Sequence, residues 1–200
     1  MDNYTKKKEY LICVDSDGCA MDTMDIKHFE CFGPCMVEEW GLEAWKEEIL
    51  IRWNEINLYT MTRGINRFKG LAMALEEINK QYTVIEDIGL LCKWAEESPE
   101  LSNAAVEREI EKSNSIVFKK ALSWSQKVNA KINELSFDVK KPFEGVKEAL
   151  AYAHEYIFRK GVVTVKDGTS QHTDLGLACF NLRDLRISEK LYVGCHIYLH

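Results

Sequence analysis

The feature that most constrains this chain is an abrupt change of pattern at residue 15. The apolar run Leu11–Val14 ends in two aspartates one residue apart, Asp15 and Asp17. Gly18 follows at once, and a third aspartate, Asp22, comes soon after. A short continuous apolar run of β-compatible residues predicts a strand buried on both faces. From about residue 25 to 135 the pattern is helical instead, in long segments rich in Glu, Lys, Ala, Leu and Trp with few breakers. A β-branched run returns at GVVTV, residues 161–165, and ends near the turn-prone pair Asp167-Gly168. The order strand, helical block, helix, strand predicts a parallel α/β sheet with a helical insertion after its first strand, because parallel strands need a long crossover.

Within the helical block the apolar spacing predicts individual faces. Met36, Trp40, Ala44, Trp45 and Ile49 fall roughly on one stripe, and Phe68, Leu71, Ala72, Leu75 and Ile78 on a cleaner one of period 3.6. Ser98-Pro99 predicts a helix end. Residues 102–135 read as one long helix or two shorter ones, with Ser102 or Asn103 as the cap. A proline turn and a helix with Val146, Ala149, Leu150 and Ala153 on its apolar face precede the second β run.

Composition bounds the function. The 200 residues carry a net charge of −6, which argues against a nucleic-acid partner because no basic surplus is present to neutralise phosphates. The apolar run after the polar start MDNYTKKKEY is too short for a signal h-region or a membrane span, so no membrane partner and a cytoplasmic location are expected. Seven cysteines, with no C-x-x-C pair, read as free thiols of a reducing compartment. Cys31 and Cys35, four apart, could share a helix face, but two thiols without a second pair are a poor zinc site.

Ligands of open α/β sheets bind at the carboxyl ends of the strands, where Asp15 and Asp17 would sit. Two carboxylates so close repel unless a cation joins them. Mg²⁺ suits the pair, since it takes oxygen ligands and needs only one or two carboxylates when a substrate phosphate completes its shell. Gly18 permits a tight turn over the site.

Strand–D-x-D-G-x-x-x-D, carried by Asp15, Asp17, Gly18 and Asp22, resembles the first motif of the haloacid dehalogenase-like (HAD) hydrolase superfamily. The resemblance implies an α/β, HAD-like (Rossmann-like) parallel-sheet core formed by residues 1–19 and 139–200, with residues 20–138 as an inserted all-helical cap. It implies Asp15 as the nucleophile that becomes an aspartyl phosphate, Asp17 as the acid/base, and Mg²⁺ as the cofactor bound by Asp15 and Asp17. It also implies Thr164, at the end of GVVTV, as a phosphate ligand. The expected activity is hydrolysis of a small phosphorylated metabolite, with a phosphomutase as an alternative that uses the same aspartates. The chain departs from the family at Cys19, where a threonine is usual. After Thr164 it carries neither the family's lysine in a matching context nor its acidic pair, so the core is expected to be incomplete at its C-terminal end. A catalytically impaired or vestigial binding module is the second reading.

Other candidates lie in the helical block. Arg63 and Arg67, just ahead of an amphipathic helix, could hold a distal anionic group of the substrate; the competing reading is a solvated helix start pairing with nearby glutamates. His28 could line a cleft, or serve structure. The five tryptophans read as core packing.

Overall fold

A computed structural model of the chain describes residues 10–14, 17–150 and 161–165. The chain divides into two compact units, residues 1–24 with 136–200, and residues 25–135.

The unit of residues 25–135 is helical. α1 (Met24–Lys27) runs through a π-helical turn, His28–Phe32, into α2 (Gly33–Trp40). Gly41, at φ 66°, stops α2 in a left-handed cap. Its N–H reaches the Glu38 carbonyl at 3.3 Å, and the Leu42 N–H reaches that of Val37 at 2.9 Å, the paired bonds of a Schellman motif. The stripe expected from Met36 to Ile49 is broken here. Met36, Trp40 and Ile49 are buried, but Ala44 is exposed and Trp45 half-buried, because the cap and a 3₁₀ turn at Glu43–Trp45 re-aim the chain before α3 (Lys46–Asn54) begins.

α3 loosens into a second π-helical turn, Glu55–Tyr59. The loop after it is stitched to that turn. Thr60 and Thr62 donate to the Ile56 carbonyl, and Arg63 Nη1 donates to the Leu58 carbonyl at 2.8 Å. α4 (Arg67–Gln81) starts on Asn66, whose Oδ1 accepts from the Phe68 N–H at 2.9 Å. Its face is the expected one: Phe68, Leu71, Ala72, Leu75 and Ile78 are all buried. α5 (Ile88–Glu97) ends at Ser98-Pro99. The stretch after residue 102 forms two helices, α6 (Asn103–Ser113), capped by Ser102, and α7 (Ile116–Glu134), separated by Asn114 in the left-handed conformation. Each cap satisfies an N–H that the first helical turn would otherwise leave unpaired.

An aromatic chain joins these helices. Trp53, Phe68 and Trp124 are essentially solvent-free. Trp124 lies 6.0 Å from Trp53 and 6.1 Å from Phe68, with Trp94 5.5 Å beyond Phe68 and Phe118 5.7 Å beyond Trp94. Edge-to-face pairs of this kind contribute about 0.5–1.5 kcal/mol each beyond their buried area. The Trp124 indole N–H donates to the Phe32 carbonyl at 3.0 Å, so its burial leaves no polar group unpaired.

In the other unit, β1 (Tyr10–Val14) pairs in parallel with β2 (Gly161–Val165), in the register Tyr10↔Gly161 through Val14↔Val165. The β-compatible runs YLICV and GVVTV form these strands. A 3₁₀ turn covers Phe137–Val139, and a helix is under way at residues 146–150.

The expected fold class is overturned. A HAD-like or Rossmann-like core is a parallel sheet of several strands covered by helices on both faces. Among the described residues, strand structure amounts to one pair of five-residue strands, and helix dominates. The intervening chain, amphipathic with the helical period, folds as helices and adds no strand to the pair among the described residues.

Candidate functional site

The carboxylate loop is built from the chain that follows β1. Asp15 lies outside the described residues. Gly18 turns the backbone at φ 75°, a conformation that a side chain would strain, and its N–H closes the turn on the Met21 carbonyl at 2.9 Å. Asp17 and Met21 form a bridge across that turn. The segment after the 3₁₀ turn braces the same loop. Asp22 N–H donates to the Lys141 carbonyl at 2.8 Å, Phe143 N–H donates to the Ala20 carbonyl at 3.0 Å, and Met21 bridges Pro142. Thr23, buried, donates its hydroxyl to Asp17 Oδ1 at 2.8 Å. Cys19, where the family threonine would stand, is an exposed free thiol, and Asp22 is exposed.

Of the residues singled out from the sequence, Asp17 and Gly18 therefore fall in one braced loop. Thr164 sits in β2 opposite Cys13, which precedes Asp15 by two positions in the chain. Thr23 was missed by sequence reasoning. Its only signal is a hydroxyl residue directly after Asp22, and nothing in the spacing says that it reaches back to Asp17.

Arg63 and Arg67 belong to the unit of residues 25–135. Arg63 is half-exposed, holds the Leu58 carbonyl and stands 3.8 Å from the Asp25 carboxylate. Arg67 ties α4 to α7, donating to Ser125 Oγ at 3.1 Å and Asn129 Oδ1 at 2.8 Å, with its guanidinium 5.1 Å from the centre of the Phe32 ring. Both arginines thus make contacts that hold their own unit together. His28 is structural in the same way: it stacks on Phe32 at 4.7 Å, and its Nδ1 accepts from Trp53 Nε1 at 3.1 Å.

Among the described residues, no group of three His, Cys, Asp or Glu is placed to hold a metal ion. Cys31 and Cys35 are buried, and burial pushes both thiols up, Cys31 to about 11 with Cys35 beside it adding to the effect. A separate cleft of about 140 Å³ between α3 and α4 is lined by Ile49, Trp53, Ala74, Ile78 and Tyr82. Arg52 at its edge is paired with Glu77 at 2.7 Å and Glu55 at 2.8 Å. Among the described residues, no helix is long and apolar enough to cross a membrane.

The chain matches no protein-family model, no curated protein and no solved structure. Together with the fold, this overturns the assignment to the HAD superfamily and confines the likeness to the local D-x-D-G sequence.

Proposed function

We propose that this chain is a Mg²⁺-dependent phosphoric monoester hydrolase that acts on a small phosphorylated metabolite through an aspartyl phosphate. The reading rests on the carboxylate loop and not on membership of a family. The observation that carries it is a carboxylate, Asp17, held by a buried hydroxyl in a loop braced from two sides, directly after a strand paired in parallel. Asp15 supplies the nucleophile: its carboxylate oxygen bonds to phosphorus as the bond to the leaving oxygen breaks. Asp17 gives that oxygen a proton, then takes one from the water that hydrolyses the aspartyl phosphate. Thr164 donates to the phosphoryl oxygens. The donors available, the Asp15 carboxylate and the Asp17 backbone carbonyl, are hard oxygens, which suits Mg²⁺; the ion would neutralise the charge of the phosphoryl group and leave the Asp17 carboxyl to move the proton. A cytoplasmic site of action accords with the four free thiols, Cys19, Cys31, Cys35 and Cys92, among the described residues.

A second reading, a phosphate-binding module without turnover, is favoured by the sequence after Thr164, which carries neither an acidic pair nor a lysine in a matching context. Hydrolysis of an aryl phosphate with and without Mg²⁺, beside Asp15→Asn, separates the two. Metal-dependent turnover that falls by about 10³-fold or more in Asp15→Asn supports the hydrolase. Thermal protection by Mg²⁺ with a phosphate mimic, without turnover, supports the binding module. Transfer to a phosphorylated sugar in preference to water would identify a phosphomutase.

A further inference from the structure

We propose that Thr23 is a positioning residue for Asp17, and that the loop from Asp17 to Thr23 is built to hold their contact. The inference rests on the phosphoryl-transfer reading above. Thr23 is 3 % exposed, and a hydroxyl so buried needs a partner. It finds one in Asp17 Oδ1 at 2.8 Å, six residues back along the chain. The intervening chain is fixed at both ends. Gly18 closes the turn onto Met21, while Ala20 and Asp22, on either side of Met21, are hydrogen-bonded to Phe143 and Lys141. Thr23 follows directly on the braced Asp22, and its β-branched side chain has few rotamers open to it. Its Oγ1 therefore arrives at a set point.

The terminal torsion of an aspartate is broad, so the side chain alone does not fix where its oxygens point. The Thr23 hydroxyl holds one of those oxygens, Oδ1. A carboxyl group that gives a proton to a leaving oxygen and later takes one from water must hold one orientation through both steps. Thr23 is therefore a positioning residue, acting through Asp17.

The test uses the full chain and the aryl phosphate assay with Mg²⁺, on the parent, Thr23→Val, Thr23→Ser and each change combined with Asp17→Asn, with circular dichroism confirming that each variant is folded. Thr23→Val should lower kcat by about 10–100-fold, the usual cost of a misplaced catalytic group, and leave KM within about twofold. Thr23→Ser keeps the hydroxyl and should stay within about threefold of the parent. In the Asp17→Asn background, Thr23→Val should add no further loss. Should Thr23→Val fail to fold, Thr23→Ala is read in the same way. An unchanged kcat in Thr23→Val, a loss in Thr23→Ser as large as in Thr23→Val, or a full extra loss in the Asp17→Asn background overturns the proposal and leaves the hydrolase reading intact. Absence of Asp15-dependent turnover in the parent overturns the hydrolase reading, and the role of Thr23 with it.

Discussion

Gly70→Ala sets two physical effects of opposite sign against each other. Gly70 lies inside α4, where alanine is favoured over glycine by about 1 kcal/mol. If α4 stood alone the change would stabilise it. In the folded unit, however, a Cβ at residue 70 would collide with Asn57 Oδ1 and stand 3.3 Å from its Cγ. Asn57 is buried in the π-helical turn after α3, and its Nδ2 donates to the Trp53 carbonyl at 2.8 Å. It cannot move aside without straining or losing that bond, and a buried amide without its partner costs about 1–3 kcal/mol. Overpacking alone is of the same order, about 1–3 kcal/mol. Overpacking of about 1–3 kcal/mol less a propensity gain of about 1 kcal/mol leaves a net loss of up to about 2 kcal/mol. Urea unfolding followed by the helical dichroism band would read this as a lowered midpoint with the slope unchanged. In an Asn57→Ala background the obstruction is gone, and the same change should become neutral or stabilising by up to about 1 kcal/mol. Stabilisation by Gly70→Ala in the otherwise unaltered chain would refute the claim that close packing of α4 on the π-helical turn requires a glycine.

Ser102→Ala removes the hydroxyl that accepts from the Ala105 N–H at 3.1 Å and donates to the Glu100 carboxylate, and should cost about 1 kcal/mol in the same urea experiment. Native-state alkylation at pH 8, read by mass spectrometry, should label the exposed Cys19 well ahead of the buried Cys31 and Cys35, whose thiols burial holds in the protonated form. The folded state raises Cys31 from 9.0 to about 11, so the neutral thiol's contribution to stability is fully present below about pH 9. It is lost as pH rises toward 11, because the unfolded chain gives up that proton first; Cys31→Ala should flatten the decline between those values.

What could be read from the sequence was local. The face of α4 was legible because five apolar residues recur at the helical period and all of them are buried. The end at Ser98-Pro99 was legible, and the start of α6 was narrowed to Ser102 or Asn103, of which the structure uses Ser102, because proline and a capping side chain act within one turn of the chain. In the carboxylate loop, Gly18 showed its need for a left-handed turn by its neighbours. The stripe from Met36 to Ile49 was misread for an equally local reason: spacing alone hides that Gly41 ends the helix, and a cap rotates everything after it.

The fold class was not legible. Whether two β-compatible runs grow into a covered parallel sheet depends on long-range pairing, and a period of two or 3.6 residues carries no record of a partner. The same holds for the links that join distant parts of the chain. Arg67 reaches Asn129 across 62 positions, Trp124 reaches Phe32 across 92, and neither residue has a neighbour in sequence that announces the partner. Thr23 is the intermediate case, six residues from Asp17 but brought to it only because Lys141–Phe143 folds back on the loop. The sequence by itself determined the apolar face of α4 and the helix boundary at Ser98-Pro99, because those forces act over a few residues. The tertiary structure alone decided which faces meet, which arginines are spent on holding helices together and which hydroxyl holds the carboxylate. Those contacts depend on burial and geometry shared by segments that are far apart along the chain.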